Sequence, residues 1–284
     1  MADLYMLFPE GKIKTLTLSY DDGVEQDKKL IEILDRYKIK ASFNISAGLF
    51  APEGTVYPPD KVHRRMTASE VRQVYAGGDY EIATHGYTHP MLSDLPGNIL
   101  TEEISRDRKE LEDMFGTLVR GHAYPYGAYN DSVVEVLKNS GICYARTVVS
   151  SHNFEIPKDW LRLNATCHHD DPKLMDLAYK FLNYTPFAWG GPKMFYLWGH
   201  SYEFEANFNW PVIEQFCSEM SNNEEIWYAT TIQIYDYVKA YERLIFDTSL
   251  TICYNPTATD VWFSLNGEVF KVPAGKTINL RDVR

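Results

Sequence analysis

The sequence has little of what a membrane protein, a nucleic-acid-binding protein or a disulfide scaffold requires. No apolar run approaches the roughly 18–20 residues that a helix needs to cross a bilayer. The 28 Lys and Arg residues against 39 Asp and Glu residues give a net charge of −11, which argues against a basic surface for nucleic acid or an anionic membrane. The four cysteines among 284 residues form no CxxC pair, so we expect separate reduced thiols. A neutral or positively charged substrate suits this charge better.

The beginning of the chain also lacks the features of a secretory signal. Its first 14 residues do not combine a basic segment with a following apolar segment, as a signal peptide would. We therefore expect a cytoplasmic protein, with a secreted chain trimmed of its signal as the alternative. The sequence leaves the oligomeric state open.

Short β-branched or aromatic runs alternate with helical patterns between about residue 15 and residue 245. The predicted strands are Thr15–Tyr20, Lys40–Ser46, Tyr80–Thr84, Gly121–Tyr124, Cys143–Val149, Leu161–Thr166 and Met194–Trp198. The predicted helices are Gln26–Tyr37, Thr67–Ala76, Ile99–Phe115, Asp131–Asn139 and Pro172–Leu182. A capping box of Thr67 and Glu70 and the pair Asp171-Pro172 mark two helix starts. The alternation predicts an α/β fold with parallel strands, as a barrel or as an open doubly wound sheet.

The residues after about position 245 have a different pattern. Short predicted strands occur at Thr248–Tyr254, Asp260–Leu265, Glu268–Val272 and Lys276–Leu280. The Asn266-Gly267 pair between two of them is a strong hairpin signal. We therefore divide the chain into an α/β domain over residues 1–245 and a small all-β appendage over residues 246–284.

Two carboxylates stand at the end of the first predicted strand. Asp21 and Asp22 are followed by Gly23, and a turn at this glycine would bring both carboxylates into one site. Two charges at the end of a buried strand are costly unless a cation or hydrogen bonds compensate them. Alternatively, they cap the helix that follows, because Asp favours that position.

Two histidines follow the third predicted strand. His85 and His89 are separated by a segment that begins with Gly86, which favours a loop over a helix. One carboxylate and two imidazoles form the ligand set of a catalytic divalent metal site that leaves a position open for water. Taken singly, each histidine would be an ordinary surface or core residue.

Two further strand ends carry residues suited to catalysis. The turn Pro125–Gly127 could direct backbone N–H groups at an oxyanion, although a plain tight turn is the alternative. His200 follows Met194–Trp198 and is either a proton donor or a polar strand-end residue. Barrels and open parallel sheets build their active sites at the carboxyl ends of their strands. The residues that fall there are Asp21, Asp22, His85, His89, Tyr126 and His200.

These residues resemble the ordered motifs of the polysaccharide deacetylase family, also called carbohydrate esterase family 4 or the NodB homology domain. The family motifs are T-F-D-D-G, H-[ST]-x-x-H, an R-x-P-Y turn, an acidic-tryptophan segment and a late L-x-H. The chain has S-Y-D-D-G at 19–23, H-G-Y-T-H at 85–89, A-Y-P-Y-G at 123–127 and L-W-G-H at 197–200. The resemblance covers about residues 12–240, and the motifs are specific as a set.

The resemblance implies a distorted (β/α) barrel and metal-dependent removal of acetyl groups from sugars. It implies an acetylated carbohydrate as substrate and a divalent metal as cofactor. The metal ligands that it implies are Asp22, His85 and His89. This set suits zinc, with cobalt, nickel or iron as alternatives.

The resemblance also implies roles for the remaining site residues. Asp21 would be the general base, and His200 would be the general acid. The backbone N–H of Tyr126 would help to hold the oxyanion. A base that is ionised while the acid is protonated suits these two groups.

Two motifs depart from the family pattern. Gly86 stands where Ser or Thr is usual, and Ala123 stands where the family has the arginine that orients the catalytic base. We hypothesise that Arg146, in the next predicted strand, supplies the missing guanidinium to Asp21. Arg120 is the rival for this role, and an outward surface arginine is the alternative interpretation of Arg146.

Other polar and aromatic residues are harder to assign. The run Cys167-His168-His169-Asp170-Asp171 has the composition of a metal site, but a helix start follows it. We therefore interpret it as a polar loop, with contacts to substrate or to site residues as the alternative. The aromatic residues that could stack on sugar rings are Tyr87, Tyr124, Trp198 and Tyr202.

The leading hypothesis is a metal-dependent deacetylase acting on an N-acetylated or O-acetylated sugar. The alternatives are an amidohydrolase acting on a small non-sugar amide and a catalytically weak carbohydrate-binding protein. The altered third motif motivates the last alternative. Retention of both aspartates and all three site histidines argues against it.

Overall fold

The computed structural model of the chain describes residues 3–77, 80–186 and 190–282. Its strands are β1 Leu4–Leu7, β2 Lys14–Asp21, β3 Ala41–Ile45, β4 Glu81–Thr84, β5 Gly121–Ala123, β6 Tyr144–Ser150, β7 Leu163–Ala165, β8 Cys167–His168, β9 Lys193–Gly199, β10 Ile226–Tyr228, β11 Ile245–Phe246, β12 Ile252–Tyr254, β13 Val261–Leu265, β14 Glu268–Val272 and β15 Thr277–Asn279. Its α-helices are α1 Asp27–Tyr37, α2 Ala68–Val74, α3 Gly97–Phe115, α4 Asp131–Asn139, α5 Leu174–Leu182, α6 Ser201–Ala206, α7 Trp210–Met220 and α8 Thr231–Glu242.

The strands β2 to β10 form one parallel sheet that curves into a nearly closed barrel. The sheet order is β7-β6-β5-β4-β3-β2-β9-β8, and β10 pairs with the first half of β2. Only Thr166 separates β7 from β8, so the two edges of the sheet are consecutive in the chain. The backbone N–H of Thr166 donates to the carbonyl of Tyr196 at 2.8 Å, and its hydroxyl accepts from the backbone N–H of Tyr196 at 3.0 Å. Of the two predicted architectures, the barrel is therefore confirmed and the open doubly wound sheet is not.

The alternation of side chains along β2 explains why the barrel has polar groups at its centre. All eight residues of β2 are buried, and successive side chains of a strand point to opposite faces. The alternate apolar residues join the main hydrophobic core: Leu16, Leu18 and Tyr20. On the other face, Ser19 Oγ accepts a hydrogen bond from the side chain of Asn44 at 2.8 Å. Asp21 shares that face, so β2 delivers its carboxylate to the barrel interior.

Two small antiparallel sheets, in the orders β1-β13-β14 and β11-β12-β15, make up the C-terminal β structure. Asn266 and Gly267 join β13 to β14 with φ angles of +51° and +84°, which suit the predicted hairpin. The strand β1 pairs with β13, Leu4 lying opposite Leu265, so the small sheets also take in the beginning of the chain. Residues 1–2 and 283–284 of the predicted domains lie outside the described residues.

The helices follow the predicted pattern with one correction. The capping box of α2 is present, since Thr67 Oγ1 accepts from the backbone N–H of Glu70 at 3.2 Å. The helix α5 begins at Leu174 with Lys173 as its N-cap, so the predicted start at Asp171-Pro172 is wrong. The Asp171 carboxylate instead accepts from the backbone N–H of Lys173 at 2.9 Å and closes a turn ahead of the helix. Among the described residues, no helix is both long and apolar enough to span a membrane.

Candidate active site

The carboxyl ends of β2, β4, β5 and β9 surround a pocket of about 470 Å³. The predicted residues that line it are Asp21, Asp22, His85, His89, Tyr126 and His200. Arg146 is fully buried beside the pocket and contacts Asp21. The structure thus brings all the predicted site residues together at one end of the barrel.

Asp21 is a buried carboxylate held from two sides. Its Oδ1 accepts from Nδ2 of Asn44 at 2.8 Å, and its Oδ2 contacts the guanidinium of Arg146. The same Oδ2 lies 3.8 Å from Nε2 of His85 and 3.7 Å from Nε2 of His200. Burial alone would raise the pKa of Asp21, but the charges of Arg146 and the two imidazoles hold it below its usual value. Asp21 is therefore an ionised carboxylate that faces both sides of the pocket.

Arg146 makes the predicted contact with Asp21. Its side chain is 0% exposed, and its guanidinium lies over the ring of Trp198 at 4.3 Å. A planar guanidinium suits a site that combines stacking with a carboxylate partner. The rival Arg120 instead pairs with Asp236 at 2.6 Å, away from the pocket.

Asp22, His85 and His89 each offer one ligand atom within 4.8 Å of the others. Nδ1 of His85 lies 2.8 Å from the carbonyl of Ala123, so Nδ1 carries the proton and Nε2 keeps its lone pair. This Nε2 lies 3.1 Å from Nε2 of His89. Burial lowers the pKa of both histidines, that of His89 to about 4, so both are neutral at neutral pH, as metal ligands must be. One carboxylate oxygen and two imidazole nitrogens fit a divalent cation such as zinc.

The helix α3 supports the loop that carries the two histidines. Asp107 Oδ2 accepts from the backbone N–H of His85 at 2.9 Å, and its Oδ1 accepts from the backbone N–H of Ala47 at 2.7 Å. Gly86 has a φ of +74°, and a Cβ there would lie 3.3 Å from each of two neighbouring prolines. The glycine at this motif position is therefore required by the backbone and by the close packing of the loop.

Three non-glycine residues of the site have left-handed backbone conformations. The φ angles are +83° at Asp22, +53° at His89 and +58° at Tyr126. Such conformations cost on the order of 1 kcal/mol each and persist where the surrounding structure imposes them. At Asp22 the left-handed turn lets two consecutive carboxylates face one pocket, which a continuing strand would not allow.

His200 approaches the same Asp21 oxygen as His85 but is separate from the group formed by Asp22, His85 and His89. It directly precedes α6, and its Nδ1 lies 3.2 Å from Oε2 of Glu203. Burial alone would lower the pKa of His200, but Glu203 and Asp21 raise it above its ordinary value. A histidine with a raised pKa therefore lies beside a carboxylate with a lowered pKa.

A family model for polysaccharide deacetylase matches residues 9–145. This segment contains Asp21, Asp22, His85 and His89. Over this segment the chain matches the polysaccharide deacetylase family. Arg146 and His200 lie beyond the matched segment.

The relatives of this chain are distant in sequence. The chitooligosaccharide deacetylase of Azorhizobium caulinodans is 29% identical over 147 residues, which cover 51% of this chain and 63% of that protein. The poly-beta-1,6-N-acetyl-D-glucosamine N-deacetylase of Staphylococcus aureus is 25% identical over 165 residues, which cover 51% of this chain and 53% of that protein. The match thus spans little more than half the length of these relatives.

A solved structure shares the fold over most of the chain. It is that of a Mycobacterium smegmatis protein described as a polysaccharide deacetylase, with a TM-score of 0.59 and 18% sequence identity. The likeness covers 84% of this chain and 94% of that one. The barrel architecture is therefore shared with that structure.

The pocket also contains residues that no sequence motif indicates. Nε2 of His63 lies 3.1 Å from Asp22 Oδ2, and Nη2 of Arg65 donates to Asp22 Oδ1 at 2.8 Å. Burial would raise the pKa of Asp22, but these contacts hold it well below its usual range. The loop before α2 has no periodic pattern that indicates such contacts. Glu203 is different, because it lies three residues after His200, and the capping-box spacing could have identified it.

The four aromatic residues proposed to stack on sugars have different positions. Tyr124, Trp198 and Tyr202 line the pocket. Tyr124 is only 1% exposed, and its hydroxyl donates to the carbonyl of Leu161 at 2.6 Å, so it offers a sugar little surface. The ring of Tyr87 is covered by Arg106 at 4.0 Å.

Proposed function

We propose that this chain is a metal-dependent hydrolase that removes N-acetyl groups from a carbohydrate. The observation that carries the proposal is the position of Asp21, whose Oδ2 lies within 3.8 Å of one imidazole of the metal-ligand cluster and of His200. Hydrolysis of an acetamide needs carbonyl polarisation, a base and an acid, because the carbonyl is resonance-stabilised and the amine leaves poorly. The relatives named for chitooligosaccharide and for poly-N-acetyl-glucosamine favour an N-acetylated over an O-acetylated sugar.

In this proposal Asp22, His85 and His89 hold the cation. When bound, a divalent cation lowers the pKa of water and polarises a carbonyl oxygen. The donor set favours zinc, and cobalt, nickel and iron are the competitors. His63 and Arg65 contact the two oxygens of the Asp22 carboxylate and so fix its orientation.

Asp21 acts as the general base. It takes a proton from the attacking water, while Arg146 and Asn44 keep its carboxylate in place. The backbone N–H of Tyr126, in the turn after β5, donates to the oxyanion that develops on the acetyl carbonyl.

His200 acts as the general acid. Its Nε2 proton passes to the leaving nitrogen as the C–N bond breaks, which yields acetate and a free amino sugar. The lowered pKa of Asp21 and the raised pKa of His200 favour these opposite roles in one pocket.

The proposal is tested by measuring acetate released from chitooligosaccharides and from acetylated xylan. We expect release from the N-acetylated substrate, loss of release after treatment with a chelator, and recovery on addition of zinc. Elemental analysis of the purified protein identifies the metal. Turnover that survives complete metal removal would contradict the metal-dependent mechanism. Absence of acetate from both substrates, with hydrolysis of a small aliphatic amide, would favour a non-sugar amidohydrolase.

A further inference from the structure

The loop before α2 is hydrogen-bonded to the turn that follows β2. Val24 and Arg65 form an antiparallel bridge between these two segments. The backbone N–H of Met66 donates to the carbonyl of Gly23 at 3.0 Å. Backbone contacts therefore fix Arg65 next to Asp22.

The guanidinium of Arg65 contacts Asp22 twice. Its Nη1 donates to the backbone carbonyl of Asp22 at 2.9 Å, and its Nη2 donates to Oδ1 at 2.8 Å. Asp22 has a φ of +83°, a conformation that persists only where neighbouring groups impose it. One side chain thus holds both the backbone and the carboxylate of this residue in the turn.

Each of the two carboxylates at the end of β2 has a guanidinium partner. Oδ2 of Asp21 contacts Arg146, and Oδ1 of Asp22 contacts Arg65. Asp21 and Asp22 are only 2% and 8% exposed, and a buried charge is costly unless it is paired. The two arginines therefore balance both carboxylates whether or not a cation is bound.

The proposed function places a divalent cation on the same Asp22 carboxylate. A carboxylate offers about four acceptor positions, so the contacts with Arg65 and His63 leave room for a cation. Arg65 is permanently charged and would repel that cation. Arg65 therefore stabilises the metal-free chain more than the metal-bound chain.

We infer that Arg65 competes with the divalent cation for the charge of Asp22: it keeps the site formed in the metal-free chain and makes the bound metal weak and exchangeable. The inference rests on the metal site of the proposed function. A group that stabilises the free form more than the bound form lowers the affinity by the difference in free energy. Metal loading of this chain then follows the free concentration of the cation.

A purely orienting role of Arg65 would have the opposite effect on affinity, because loss of a residue that orients a metal ligand weakens metal binding. The orientation of Asp22 has other supports. Nε2 of His63 lies 3.1 Å from its Oδ2, and its backbone N–H donates to the carbonyl of Asn44 at 2.9 Å. We therefore expect the repulsion to outweigh the loss of orientation when the charge of Arg65 is removed.

The test replaces Arg65 by Gln, which keeps an N–H donor and removes the charge. Arg65→Lys keeps the charge. The matched control is Arg64→Gln, because Arg64 is the neighbouring residue and pairs with Glu25 at 2.6 Å and with Glu205 at 2.7 Å. The first measurement is the dissociation constant of the purified full chain for zinc, by competition with a chromophoric chelator.

We expect Arg65→Gln to bind zinc about tenfold more tightly than the wild-type chain. Arg65→Lys should bind zinc no more tightly than wild type, and Arg64→Gln should stay within about twofold of wild type. Weaker or unchanged zinc binding by Arg65→Gln overturns the inference and leaves Arg65 an orienting role alone. An equal gain in Arg64→Gln also overturns it, because the effect would then come from the overall charge of the loop.

The second measurement is thermal unfolding in a chelator and in saturating zinc. We expect Arg65→Gln to lower the unfolding temperature by about 5 °C or more in the chelator, and by clearly less in zinc, where the cation compensates Asp22. Equal decreases in the two conditions overturn the inference. If the variant is unfolded in the chelator, it should fold on addition of zinc, and a variant that stays unfolded overturns the inference.

These measurements separate the inference from the proposed function. If zinc binds in the expected order but the wild-type chain releases no acetate from any sugar, the deacetylase proposal fails and the inference stands. If neither the wild-type chain nor Arg65→Gln binds zinc, the metal site is wrong and both fail.

Discussion

The two halves of the candidate site are built in different ways. In the base half, Asp21, Asn44 and Arg146 come from the strands β2, β3 and β6 and are at most 2% exposed. In the acid half, the side chains of His200, Glu203 and His168 come from the end of β8 and the start of α6 and are 21–24% exposed. The base half is thus enclosed by the barrel, whereas the acid half lies at its rim.

This difference shows what each half depends on. The three base residues are far apart in the sequence. They meet because β2 and β3 are neighbours in the sheet and the curvature of the barrel brings Arg146 of β6 to Asp21. His200 and Glu203 are three residues apart, so their contact needs little more than the first turn of α6. We therefore expect substitutions in the base half to have large effects on activity, and substitutions beneath the acid half to act mainly through stability.

The largest effect is expected for Asp21→Asn. This change removes the base and leaves the buried guanidinium of Arg146 without its carboxylate partner. We expect kcat for acetate release to fall about 10³-fold or more, with bound metal retained because Asp22 and both ligand histidines are intact. If turnover of Asp21→Asn stays within about tenfold of wild type, the base is another residue. The expectation that substitutions in the base half have the larger effects on activity would then be wrong.

A smaller loss is expected for Arg146→Lys. An ammonium cannot contact the Asp21 carboxylate and lie flat on Trp198 at the same time. We expect kcat to fall about 100-fold, measured as acetate release at saturating substrate. Arg120→Lys is the matched control, because Arg120 pairs with Asp236 away from the pocket, and its turnover should stay within about twofold. Equal turnover in the two variants would show that the base half does not need a guanidinium.

The smallest effect on activity is expected at Asp27, which anchors α6 beneath the acid half. Its carboxyl accepts from Ser201 Oγ and from the Tyr75 hydroxyl, both at 2.6 Å, and burial raises its pKa from 3.8 to about 7. As the pH rises between these values, the unfolded chain releases the proton while the folded chain keeps it. The wild-type chain should therefore lose stability across this window, by up to about 4 kcal/mol.

Asp27→Asn removes this titration and keeps the shape of the protonated acid. The difference in unfolding free energy between wild type and variant should shift in favour of the variant as the pH rises from about 4 to about 7. Denaturant unfolding across this range measures the difference. A difference that stays constant with pH would show that Asp27 is ionised in the folded chain throughout.

The residues at the strand ends could be predicted because each parallel strand delivers its last residues to the same edge of the sheet. Asp21, His85 and His200 could be placed in this way once their strands were recognised from β-branched and aromatic runs. Arg146 could be proposed because Ala123 left a gap in the motif and the next strand carried a guanidinium. The strand pattern alone allowed a barrel or an open sheet, since nothing local shows that β7 and β8 are one strand divided between two partners.

The rest of the site depends on contacts that have no local signal. His63 and Arg65 reach Asp22 from a loop without periodicity, and Asn44 is one polar residue in a buried strand. The pairing of β1 with β13 joins the two ends of the chain, and a sequence pattern does not show which strands become neighbours. The start of α5 was misplaced because an Asp-Pro pair favours a helix N-terminus, whereas the Asp171 side chain closes its own turn.

The position of Thr166 links the two halves of the site mechanically. The segment on its N-terminal side pairs with β6, where Leu163 lies opposite Arg146, and the segment on its C-terminal side ends at His168. A transient opening of the barrel between β7 and β8 would displace two residues together. They are Arg146, which contacts Asp21, and His168, which lies beside His200. Deuterium uptake at the Thr166 amide would therefore report on the alignment of the proposed base and the proposed acid at once.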